Sequence, residues 1–224
     1  MSDLEDRPPP VTLPDEFVLL LHRPGGGHRC AQVDLLTSVA ELGELALRGR
    51  VEVAASAKLT VLDPRSTGIG WADELLGRLA RKAGPKGKPV ELTGVLPGRL
   101  GRFREHRGLL TAHGALRHRR RKLLGFIPDD LYVPVEQVRE SLVAEVRDAA
   151  RLRRPVDGRL AVLCALVHSA GIGPSLGCDA DERAVLESVW RGDGLGEAEL
   201  RPLAAVSAVT AVAVSAAAAG AAGY

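Results

Sequence analysis

Between Val33 and Ala46 the apolar residues Val33, Leu35, Leu36, Val39, Leu42, Leu45 and Ala46 recur at the spacing of an α-helix with one buried face. Gly49 follows, so this helix has a stop as well as a face. A buried helical face needs other helices or a sheet to cover it, and the composition favours helices. Only 3% of the 224 residues are aromatic while 46% are hydrophobic, so Leu, Val and Ala must fill the interior, a diet poorly suited to a β-sandwich. That length and apolar content support one sizeable core. The expected organisation is a disordered, acidic and proline-rich start over residues 1–10, then one helical domain over residues 11–224.

The remaining elements follow from local signals. Thr12-Leu13-Pro14-Asp15-Glu16 has a hydroxyl, a first-turn proline and two acids, the marks of a helix start, with Phe17 to Leu21 buried behind it. Val51-Glu52-Val53 and Leu59-Thr60-Val61 alternate as a hairpin closed by Asp63-Pro64. A helix over Ala72 to Ala83 ends in the solvated break from Gly84 to Pro89. Arg99 to Arg107 reads as a basic helix ended by Gly108, after which Leu109-Leu110 opens a second hairpin that returns through Arg117 to Ile127. Helices are predicted over Val135 to Leu152, Gly158 to Ala170 and Asp179 to Trp190, the second nearly all apolar and therefore central. Leu203 to Ala222 is uncharged and long enough to suggest a membrane span, but Leu203 is its only leucine, so a buried C-terminal helix is the better reading. The fold class is mainly α: a single globular helical domain with a buried Ala-rich C-terminal helix and two small β-hairpins.

Charge is distributed unevenly along this body. Residues 81–122 hold thirteen of the 30 Lys and Arg but only Glu91 and Glu105 as acids, a net +11, which leaves 17 basic and 26 acidic residues elsewhere, a net −9. Such a block favours an anionic partner. Within it Arg99 and Arg102 lie on the basic helix, and Arg117, Arg119, Arg120, Arg121 and Lys122 crowd one strand-like stretch. Alternation sets Arg117, Arg119 and Arg121 on one side and His118, Arg120 and Lys122 on the other. Leu123, Leu124 and Phe126 beyond them are candidate membrane-contact residues, with inward packing as the competing reading.

Catalytic chemistry finds little support. Cys30, Cys164 and Cys178 are odd in number and widely spaced, which fits a reduced, cytoplasmic compartment, and the N-terminus lacks the pattern of a secretory signal. The six histidines, His22, His28, His106, His113, His118 and His168, show no metal-ligand spacing, so no metal is expected. The run Gly25 to Gly27 lacks the Lys-Ser/Thr of a P-loop, and Gly68-Ile69-Gly70 lacks a third glycine, so no cofactor is expected. Asp73-Glu74 and Asp129-Asp130 are adjacent pairs that read as an early helical turn and an inter-element turn. His168, near Cys164, is the one catalytic candidate, and a satisfied core histidine is the preferred reading of it. The chain therefore reads as a non-enzyme. A nucleic-acid-associated basic module is the alternative, without a recognisable motif or enough aromatics for base stacking.

Glu44-Leu45-Ala46-Leu47-Arg48-Gly49-Arg50 followed by Val51-Glu52-Val53 resembles the signature of the Golgi phosphoprotein 3 family, which includes bacterial relatives of a eukaryotic Golgi adaptor. Thr12 to Leu21, Asp63 to Gly68, Arg107-Gly108-Leu109-Leu110 and Leu124-Gly125-Phe126-Ile127-Pro128 resemble further family landmarks, in family order. The resemblance implies a mostly helical, non-enzymatic, peripheral membrane protein on the cytosolic face of a membrane. Its partners would be phosphatidylinositol or a phosphoinositide such as the 4-phosphate, and the cytosolic tails of membrane glycosyltransferases. It also implies a lipid pocket of one tryptophan and three arginines. Counted without gaps from Glu44 and back from Gly108, those positions fall at Arg29, Ser38, Gly94 and Pro97, and none keeps the family's residue type. General anion attraction through Arg99, Arg102 and the 117–122 cluster is what remains. Arg48 and Arg50 are assigned to fold maintenance at the helix-to-strand junction.

Overall fold

Thr12 opens the first helix, α1 (Leu13–Leu21), by giving its backbone N–H and its hydroxyl to the Asp15 carboxylate at 2.9 and 2.6 Å. Pro14 stands in the first turn, where a missing N–H goes unnoticed. Every residue of α1 except Glu16 is buried, so this helix is the axis of the protein. Each of its buried Leu, Val and Phe side chains contributes roughly 1.5–3 kcal/mol. In this computed structural model the described residues are 11–28, 30, 32–54, 56–96, 100–123, 127–152, 157–193, 195, 202–204, 206 and 207.

Around α1 pack α2 (Val33–Leu47), α4 (Arg102–Ala112), α5 (Glu136–Leu152) and α6 (Gly158–Ser169), while α3 (Gly70–Ala83) lies against the strands on either side of it in sequence and α7 (Ala180–Arg191) lies against α5 and α6. As the apolar run predicts, α6 is central: Ala161 to Val167 are all buried. The backbone N–H of Leu13 donates to Glu44 Oε2 at 2.9 Å, tying the start of α1 to the Glu-Leu-Ala-Leu turn of α2. At the end of α2 the Arg48 Nε donates to Glu44 Oε1 at 2.6 Å and Arg50 pairs with Asp63, so both motif arginines brace the helix-to-strand junction. Asp179 caps α7, accepting from the N–H of Glu182 at 2.8 Å. Among the C-terminal residues, Pro202 to Ala204 and Val206-Ser207 are helical, with Leu203 and Val206 buried; the rest of the Ala-rich segment lies outside the described residues, as does the stretch 1–10.

Two small antiparallel sheets complete the fold. The first joins β1 (Val51–Val53) and β2 (Lys58–Val61) as the alternation predicts, and adds an unforeseen edge, β3 (Val90–Glu91), beside β2. Two residues are too few for a periodicity signal, which is why β3 is invisible in the sequence. The second sheet is β4 (Leu116–Leu123) paired with β5 (Ile127–Pro134). Here the reading from sequence needs correction. Leu109 and Leu110 belong to α4, which runs through Gly108 instead of ending there, and the turn into the strand comes at Gly114, with φ +73°. Asp129 and Asp130, expected in a turn, lie within β5 and face Arg121 and Arg120 in the register. A lone glycine costs a helix only about 1 kcal/mol, and the burial of Leu110 outweighs that.

Candidate functional site

The start of α4 sets the position of the basic residues. Gly101 adopts a left-handed conformation (φ +87°) ahead of the helix, and the N–H of Phe103 donates to Asp34 Oδ1 at 2.9 Å, docking α4 on the first turn of α2. Arg102 is 16% exposed and its guanidinium lies 2.7 Å from Glu105 and 4.0 Å from Glu74, so much of its charge is answered internally. Arg104 is exposed. One turn on, Arg107 lays its guanidinium 3.8 Å from the centre of the Tyr132 ring on β5, a close cation–π contact that fastens α4 to the hairpin.

The inner face of the same helix carries a charged node. His106, completely buried, gives Nδ1–H to Asp15 Oδ1 at 2.7 Å, and its Nε2 lies 3.3 Å from Glu41 Oε1. Burial opposes the imidazolium, but the hydrogen bonds and attraction of the two carboxylates outweigh it and raise the pKa to about 9. The edge of Trp71 closes over the ring. His22 shows the opposite balance. Burial lowers its pKa to about 4, so it stays neutral, donating to the Val18 carbonyl at 2.8 Å and stacking on Phe103. Neither role is visible in histidine spacing. The one available signal for His106 is its place on the buried stripe Phe103, His106, Leu110, where a polar residue demands partners; those partners stand 91 and 65 residues away.

The alternation predicted for the basic strand holds where side chains are described, and it divides the hairpin into two unlike faces. On one, His118 stacks on Tyr132 and gives Nε2–H to Asp130 Oδ1 at 2.8 Å, with Arg120 directly across from Asp130. On the other, Arg117 and Arg119 line an open cleft of about 680 Å³ whose remaining walls come from Pro24, Val133 and the residues from Pro134 to Glu140 other than Val138. Arg117, Arg119 and Arg120 are exposed, and none of them makes a hydrogen bond or ion pair among the described residues. Arg121, Lys122 and Leu123 are described as strand backbone only, and Arg99, Leu124 and Phe126 lie outside the described residues.

Of the pocket positions implied by the resemblance, Arg29 and Pro97 also lie outside the described residues. Ser38 is buried in mid-α2 with its hydroxyl given to the Asp34 carbonyl at 2.9 Å. Gly94 sits in a 3₁₀ turn, not on the helix before the hairpin, and accepts Lys82 Nζ at 3.0 Å. Burial pushes the Cys164 thiol up to about 12, and the partly exposed His168 ring packs on Trp190 at the end of α6. No group of three metal-ligating side chains occurs among the described residues, and none of their helices is long and apolar enough to cross a membrane.

The described residues form a mainly helical body with an arginine-bearing hairpin fastened to α4. Comparison with protein families gives it a narrower class. The model of Golgi phosphoprotein 3 (GPP34) matches residues 13–217, and the chain belongs to that family. No individual curated protein matches it.

Proposed function

We propose that this protein is a non-enzymatic peripheral membrane adaptor that docks on anionic, phosphoinositide-type lipid head groups through the arginines of α4 and β4. The observation that carries the reading is the unpaired state of Arg117, Arg119 and Arg120, three exposed guanidiniums in four residues of one strand with no hydrogen bond or ion pair among the described residues. Like charges so close together repel, and a phosphate-bearing surface relieves them. Each contributes about 1 kcal/mol near an anionic leaflet, enough in combination for reversible attachment. Family membership supports the adaptor role, with the cytosolic tails of membrane glycosyltransferases as the cargo that the family resemblance suggests.

Nucleic acid is the weaker partner. Tyr132 is already covered by Arg107 and His118, and Phe103 by His22 and His28, so the aromatic rings beside the arginines are engaged. Flotation with phosphatidylcholine vesicles, with and without phosphatidylinositol or its 4-phosphate, tests the reading. Binding is expected only with the anionic lipid and should weaken as salt rises. Equal flotation with neutral vesicles, or none with either, overturns it.

A further inference from the structure

Away from the arginines of the hairpin, a second cavity carries the opposite chemistry. Glu105, Leu109 and His113 recur at the spacing of one face of α4, beside its fully buried stripe, and with Ile69, Trp71 and Glu74 at the start of α3 they line about 350 Å³. Asp15 of α1 closes the cavity from below, but its oxygens are spent on Thr12 and His106. The carboxylates of Glu74 and Glu105 are not spent. Arg102 Nη1 stands 2.7 Å from Glu105 and 4.0 Å from Glu74 without hydrogen-bond alignment to either, and neither acid accepts a hydrogen bond from a described residue. His113 makes an independent demand. Both its ring nitrogens are buried, and neither has a hydrogen-bond partner among the described residues. Native proteins satisfy buried polar atoms as a rule, so this ring calls for a hydrogen-bonding occupant, while Ile69, Trp71 and Leu109 make a wall that water alone covers poorly.

We infer that the cavity between α3 and α4 binds a small primary amine carried on an apolar body. Each other class of ligand fails on one of the lining groups. An anion would meet Glu74 and Glu105, and no lysine or arginine lines the cavity to answer it. A metal ion lacks its ligands, since no group of three metal-binding side chains occurs among the described residues. An uncharged apolar molecule would desolvate two carboxylates and leave His113 unpaired. One guanidinium shared by two carboxylates leaves one negative charge over, which a monocation balances. An ammonium group also brings three N–H donors, enough for the two acids and for the acceptor nitrogen of a neutral imidazole. Its apolar stem then lies against Ile69, Trp71 and Leu109. This site is independent of docking on lipid.

The test is calorimetric titration of the full chain in low salt with phenethylamine, its trimethylammonium analogue and the uncharged 2-phenylethanol. Saturable binding of the amine is expected, with the analogue, which keeps the charge but no N–H, weaker by about tenfold and the alcohol weaker still. Glu74→Gln and Glu105→Gln should each weaken the amine about tenfold. Glu91→Gln, an exposed acid on β3 paired with Lys58 and outside the cavity, should change it less than about twofold. His113→Phe keeps the bulk of the ring, removes both nitrogens and should cost about fivefold. Thermal melts show which variants remain folded, and Glu74, exposed at the rim, gives a variant that does not depend on repacking. Absence of saturable amine binding, equal binding of the alcohol or of the trimethylated analogue, or equal losses from all three acid variants overturns the assignment.

Discussion

Helix α4 separates two populations of charge that meet opposite fates. On its inner side His106 is enclosed with Asp15 and Glu41, and each formal charge has a partner within 3.3 Å. Beyond its outer side β4 presents Arg117, Arg119 and Arg120 with no such partners among the described residues. The contrast teaches where this protein spends its carboxylates. The inner acids tie α1, α2 and α4 together, and on the hairpin Asp130 is taken by His118 at 2.8 Å although Arg120 lies directly across from it. Charge that builds the fold is matched in the interior; the charge of Arg117, Arg119 and Arg120 on the flank meets no carboxylate among the described residues.

The sharpest way to break that contrast is to empty its inner half. His106→Ala removes the imidazolium that the buried Asp15 and Glu41 carboxylates share, and a loss of about 3–5 kcal/mol in urea unfolding is expected; a loss below about 1 kcal/mol would mean that the node is incidental. Titrating the node is gentler. The proton on His106 is held to about 9 in the folded state against 6.5 for an ordinary histidine, so its contribution is complete below pH 6.5 and fades as pH rises through 9. The shift corresponds to roughly 3 kcal/mol at most.

His22 works at the other end, its neutral form supporting the fold above pH 6.5 and that support vanishing as pH falls through about 4. Burial raises Glu16 to about 7 against the pull of Arg159, which tilts stability downward between pH 4.5 and 7. Urea midpoints should therefore fall as pH rises from 7 to 9, while the opposed slopes of His22 and Glu16 largely cancel between pH 4.5 and 6.5; a flat profile between pH 7 and 9 would contradict the role given to His106.

Neutralising the outer half should leave the fold alone. Arg117→Gln and Arg119→Gln are each expected to lower partition onto anionic vesicles by about 1 kcal/mol while changing unfolding free energy by less than about 0.5 kcal/mol. The smallest effect concerns Cys164, whose buried thiol should resist alkylation in the native protein at neutral pH and react only on unfolding, as mass spectrometry can follow.

Helices with long apolar stripes were legible from residues alone. The stripe through α2, the unbroken apolar run of α6 and the capping pattern before α7 all lie where the spacing predicts, because burial of one face outweighs every competing preference there. Legibility failed where the deciding contact is distant or the element short. The end of α4 was misread because Gly108 looks like a stop, while the burial of Leu110 that carries the helix onward depends on tertiary packing. The basic strand could be seen as a dense run of arginines. That half of it faces a cleft walled by α5 could not, since Arg117 and Glu136 are brought together only by the register that sets Leu116 opposite Pro134.

At Gly43 an added methyl group would come within 3.1 Å of Val162, 3.2 Å of Val206 and 3.3 Å of Leu13. One bare carbon thus fixes the spacing between the second helix, the central sixth, the first turn of the protein and its C-terminal stretch. Widening this pinch point would push several neighbours apart at once, so an alanine here should act less like a local blemish than like a shim driven into the joint on which the whole helical stack is trued.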